Sequence, residues 1–142
     1  MGGASVQSLA SRVKSPEAFR QFLQFGLVGL SGFVVDVVVV YALRGSVGLV
    51  WAGLAAYLAA ATSNWALNRI WTFRDARRDP LVLQWLSFLG ANAVGFVLNR
   101  GTYLLLIALV PLCARQPVFA IAAGVAAGML VNFNLSRRLV FR

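Results

Sequence analysis

With 142 residues, 60% of them hydrophobic and 12% charged, the chain has room for one domain and more apolar surface than a water-soluble domain of that size hides. Its 13 Lys and Arg stand against 4 Asp and Glu, a formal net charge of +9, and it has one cysteine and no histidine. Intramolecular disulfides, Cys/His zinc sites and histidine proton relays are excluded, and a membrane protein is the default reading.

Residues 1–15 read as a cytoplasmic flexible tail. Ser15, Pro16 and Glu17 then supply an N-cap, a first-turn proline and an acid at the positive end of a helix, so ordered helix is expected from there. Four apolar stretches follow, residues 22–43, 49–67, 83–110 and 118–135, each long enough for a span of roughly 17 to 25 residues. "RGSVG" (44–48) and "PLCARQP" (111–117) carry turn chemistry and are expected to close two helical hairpins.

Basic residues cluster in the tail (Arg12, Lys14, Arg20), the central loop region (Arg69, Arg74, Arg77, Arg78) and the C-terminus (Arg137, Arg138, Arg142). The other two connections carry one each, Arg44 and Arg115. The positive-inside rule places both termini and the central loop in the cytoplasm. A nucleic-acid partner is not expected, because these charges sit at helix ends beside aromatics, where attraction to membrane lipid headgroups accounts for them.

The stretch "NWALNRIWTFR" (64–74) returns as "NFNLSRRLVFR" (132–142), and "QFLQFGLVGLSGFVVD" (21–36) aligns without gaps on "QWLSFLGANAVGFVLN" (84–99). The fold expected is an all-α integral membrane protein: a transmembrane domain over residues 16–142 of four helices, built as a duplicated helical hairpin. Repeat 1 covers about residues 20–74 and repeat 2 about 83–142. Two crossings per copy make the repeats parallel.

Small or polar residues recur on one face of each helix: Gly29, Gly32 and Asp36 on the first, Asn92, Gly95 and Asn99 on the third. Ala52, Ala56, Ala60, Asn64 and Asn68 line the second, and Ala120, Gly124, Gly128, Asn132 and Ser136 the fourth. The Ala and Gly members suit close helix packing. The asparagines fit two readings, interhelical hydrogen bonds or a polar cavity that contacts hydroxyls.

Asp36 lies about 21 Å of helical rise into the first span. Arg100 is similarly deep in the third, and a charge there costs on the order of 3 kcal/mol. They either form an intramembrane ion pair or serve separately, Asp36 toward a sugar hydroxyl or proton and Arg100 toward an anion. Arg69 and Arg137 occur in both copies, each followed by aromatics. They read either as membrane anchors or as a phosphate-binding pair, since a guanidinium fork matches two phosphate oxygens.

The paired "NxxLxR" segments with their aromatic and basic run, the opening "FGLVGLSGFVVD" and the four expected spans resemble the GtrA-like family over about residues 20–142. The resemblance implies a bacterial inner-membrane, multi-pass protein of cell-surface polysaccharide synthesis. Such a protein translocates a polyprenyl-phosphate-linked monosaccharide for a glycosyltransferase partner. It carries over onto Asp36, Asn64, Arg69, Asn132 and Arg137; Leu139, standing where Trp71 does in the first copy, departs from the aromatic pattern.

In that reading Arg69 and Arg137 hold the phosphate; Asp36, Asn64, Asn68, Asn92, Asn99 and Asn132 form the polar cavity; and Trp65 stacks on the sugar ring. No catalytic residue, cofactor or metal is expected, and the protein is not expected to be an enzyme. The space needed for a sugar and a lipid makes a homodimer plausible. The alternatives are a non-transporting adaptor that anchors a glycosyltransferase and, with Arg100 against it, a small proton-coupled exporter of cations.

Overall fold

The structure, a computed structural model, describes residues 16–142. The expected tail and the Ser15 cap lie outside the described residues. Every regular element among the described residues is helical: α1 (Pro16–Leu67), the π-helical turn π1 (Asn68–Thr72), α2 (Leu81–Leu109), the short α3 (Pro111–Arg115), α4 (Pro117–Leu135) and a second π-helical turn, π2 (Ser136–Val140). Three stretches are long and apolar enough to cross a membrane: Pro16–Thr72, Leu81–Leu109 and Pro117–Val140.

Where the sequence predicts four spans, the first two run together in α1, because helical geometry continues through residues 44–47 and the interruption is a single residue. Gly48 has φ 79° and ψ 167°, a region that essentially only glycine enters. The chain reverses between the arms on either side. A straight helix would hold Gly32 and Asn64 about 48 Å apart. Yet a Cβ built on Gly32 would collide with the Asn64 amide, and the Phe25 and Phe73 rings meet edge-on with centroids 6.3 Å apart.

Gly48→Ala is expected to destabilise the protein by about 1–3 kcal/mol. Gly45→Ala, in the same predicted turn but on helical backbone with nothing within 4 Å of a Cβ, should be neutral or slightly stabilising. Unfolding of the two variants by graded denaturing detergent checks the contrast.

The chain divides into two compact units, one ending at Arg74 and the other running from Asp75 to Arg142. In the first, Phe25, Val28 and Gly32 of one arm and Ala52, Ala56 and Ala60 of the other are buried. Leu23, Leu27, Leu30, Val34 and Val38 form an exposed apolar stripe on the first arm. Such a face is stable where the solvent is hydrocarbon.

In the second unit α2 packs along α4, burying Phe88, Ala91 and Gly95 of one and Ala120, Gly124 and Gly128 of the other. Under the sequence alignment these six positions correspond one to one with the six of the first unit. The small residues let backbones touch: a Cβ at Gly128 would stand 2.7 Å from the Gly95 carbonyl oxygen, and one at Gly124 2.6 Å from that of Asn99. Between the two helices the predicted turn at 111–117 is the short helix α3, with Pro111 and Pro117 opening α3 and α4 where a missing N–H costs nothing.

Candidate functional site

The motif that returns in the sequence is the stretch in which each unit leaves α-helical geometry. π1 and π2 begin four residues after Asn64 and Asn132, and each closes with an aromatic N–H donating back across the wide turn, Phe73 to the Asn68 carbonyl and Phe141 to the Ser136 carbonyl, both at 2.8 Å. A single π turn inside an α-helix recurs at functional sites. Here the widening turns two successive residues inward, so Thr72 and Phe73 are both buried, as are Val140 and Phe141. Phe73 packs on Phe25, and Phe141 on Phe88 at 5.9 Å between centroids.

In the first unit Asn64 sits against Gly32, and its Oδ1 is buried without a hydrogen-bond partner. Asn68, one turn on, is 1% exposed, and its Oδ1 is likewise unpartnered. Arg69 is half-buried, with its guanidinium carbon 6.0 Å from the centre of the Trp65 ring. The Trp65 indole N–H is buried and unpartnered. Asp36, one turn beyond Gly32, is half-buried.

In the second unit Asn132 packs against Gly95, 2.7 Å from where a Cβ would stand. Its Nδ2 donates to Asn92 Oδ1 at 2.9 Å, and Asn92 Nδ2 donates to the Phe88 carbonyl at 3.0 Å. Asn99 lends its backbone and Cβ to the contacts with Gly124 and Gly128. Arg137 is half-buried, like Arg69. Arg100 is exposed, with its guanidinium 5.9 Å from the Phe96 ring and 6.0 Å from that of Tyr103.

Each unit therefore brings its own asparagine, the following polar residue and an arginine to one end. The expected partners Asp36 and Arg100 belong to different units. For Asn92 and Asn132 the structure realises the interhelical hydrogen bond, and Asn92→Ala is expected to weaken the second unit by about 0.6 kcal/mol, at most about 1.7. Detergent-induced unfolding followed by circular dichroism measures it.

Sequence reasoning did not single out Gln84 or Thr72. Gln84 is 2% exposed and donates to the Val140 carbonyl at 3.2 Å, tying α2 to π2. Its match to Gln21 in the alignment was the available signal. Among the described residues no group of three or more His, Cys, Asp or Glu is placed to hold a metal ion. What the arrangement offers is hydrogen-bonding groups for hydroxyls beside a partly shielded cation for an anion.

The family model of the GtrA/DPMS transmembrane domain matches residues 24–141, covering most of both units and the whole of both π turns. The chain belongs to this family. No match to a curated protein was found. Membership in the GtrA/DPMS family, with the apolar helices above, makes this a multi-pass membrane protein. The GtrA/DPMS domain also supplies the coarse function, a membrane protein involved in polysaccharide or glycan synthesis.

Proposed function

We propose that the protein translocates a polyprenyl-phosphate-linked monosaccharide across the bacterial inner membrane, for use in cell-surface polysaccharide or glycan modification. Both arms of α1, α2 and α4 each cross the bilayer in this reading, as a duplicated hairpin with both termini and the central loop cytoplasmic. The observation that carries the proposal is the recurrence, in two units of a GtrA/DPMS chain, of a half-buried arginine next to a buried polar residue at a π turn.

The physics of the task supports it. A lipid-linked sugar brings hydroxyls and one phosphodiester charge into hydrocarbon, and the protein has to replace their water. Arg69 and Arg137 supply charge-assisted hydrogen bonds to phosphate oxygens. In the first unit Asn64, Asn68 and Asp36 face the hydroxyls, and Trp65 offers a ring surface to the sugar. The prenyl chain stays in lipid, no covalent bond changes, and a glycosyltransferase consumes the delivered sugar.

The test separates transport from an anchoring role. Replacing Asp36, Asn64 and Asn132 together by alanine should abolish leaflet exchange of a short-chain polyprenyl-phosphate hexose in vesicles while the protein still inserts. If exchange persists, and only loss of Arg74, Arg77 and Arg78 abolishes glycan modification in cells, the adaptor reading replaces this one.

A further inference from the structure

The two units share their packing but not the polar equipment around it. Asn92 fills the space beside Asn132 and accepts its amide hydrogen at 2.9 Å. The aligned residue in the first unit is Gly29, where a Cβ would meet nothing within 4 Å. Asn64 thus keeps the glycine contact that Asn132 has and lacks the neighbouring amide.

Other differences run the same way. Trp65, with a buried and unpartnered indole N–H, faces Phe133 in the alignment, which carries no polar atom. Thr72, whose buried hydroxyl has no partner, corresponds to Val140. Of the eight buried side-chain polar atoms without a partner among the described residues, six are in the first unit, on Gln21, Gln24, Asn64, Trp65, Asn68 and Thr72. The other two, Asn132 Oδ1 and the Ser136 hydroxyl, are common to both units through Asn64 and Asn68, so the units differ at Gln21, Gln24, Trp65 and Thr72 and at the bonded Asn132 Nδ2. Buried polar groups are normally satisfied, and one left open costs stability that a ligand recovers on binding.

We propose that the duplicated halves have divided their roles: the first unit binds a ligand hydroxyl at Asn64, in the space that Asn92 occupies in the second, and the second unit is the self-paired structural half. A hydroxyl both donates and accepts, so it takes the Asn64 amide hydrogen as Asn92 Oδ1 takes that of Asn132, and donates to Asn64 Oδ1 as well. The inference deepens the reading above, because it assigns the sugar to one half of a duplicated site.

Gly29→Asn transplants the second unit's arrangement into the first, and the open space at Gly29 lets it fold. Binding of citronellyl-phosphoryl-glucose to purified protein is measured by native mass spectrometry, with leaflet exchange of the same compound followed in parallel. Gly29→Asn is expected to weaken binding at least tenfold with an unchanged or raised melting temperature. Asn92→Ala is expected to keep binding within about twofold and lower the melting temperature; Gly29→Thr is the shorter insertion to use if Gly29→Asn does not fold.

Equal loss in the Gly29 and Asn92 variants, loss in neither, or no binding by the unaltered protein overturns the inference. Binding that follows the expected pattern without any leaflet exchange leaves it standing and removes the translocase reading instead.

Discussion

Arg69→Ala combined with Arg137→Ala is expected to slow leaflet exchange of a polyprenyl-phosphate hexose by at least tenfold per arginine lost, with insertion and helix content unchanged. Each arginine is half-buried next to a buried polar residue, Asn68 or Ser136. There it is screened less than at a surface. A hydrogen bond to a charged group is worth about 1.5–3 kcal/mol, or about ten- to a hundredfold in an equilibrium. Lysine at both positions keeps the charge but not the planar fork, so it should restore part of the rate; restoration to the full rate would mean that the arginines act as point charges at the interface.

The second large effect is on stability. Gly128→Val is expected to destabilise the second unit by about 1–3 kcal/mol or more, because its Cβ would stand 2.7 Å from the Gly95 carbonyl oxygen and 2.9 Å from Asn99 Cβ. A side-chain tip moves aside cheaply, whereas a carbonyl on a packed helix does not. α2 and α4 then have to separate, loosening the Asn132–Asn92 bond as well. Gly90→Ala on the same α2 meets nothing within 4 Å, so it should be neutral or gain the roughly 0.5–1 kcal/mol that alanine offers over glycine in a helix. Detergent unfolding of the pair distinguishes a packed glycine from an idle one.

Much of this architecture is legible in the residues themselves. The sequence places Gly32 and Asn64, and likewise Gly95 and Asn132, on the small or polar faces of their own helices, and the structure packs the two members of each pair in contact. The buried faces Phe25, Val28, Gly32 and Phe88, Ala91, Gly95 occupy aligned positions. The extent of the first helical stretch was not legible. Nothing in "RGSVG" says which glycine bends, and only the backbone at Gly48 concentrates the break in one residue.

The π turns were hidden for a different reason. "NRIWT" and "SRRLV" have ordinary helix-compatible residues, and a shift from four- to five-residue hydrogen bonding leaves no compositional mark. Only their recurrence flagged them. At the candidate site, sequence placed Asn64, Asn132, Arg69 and Arg137 at matching positions, but it assigned both asparagines to one polar cavity. The difference depends on what stands beside each asparagine: Asn92 in one unit and the bare backbone of Gly29 in the other.

The central claim is movement of a phosphate-linked sugar between leaflets, and it is tested most directly by reconstituting the purified chain into vesicles with a short-chain fluorescent polyprenyl-phosphate hexose. The account predicts exchange faster than in protein-free vesicles, dependent on Arg69 and Arg137 and selective for the sugar-bearing lipid over the bare polyprenyl phosphate. Exchange no faster than in empty vesicles for any of several hexoses would contradict it.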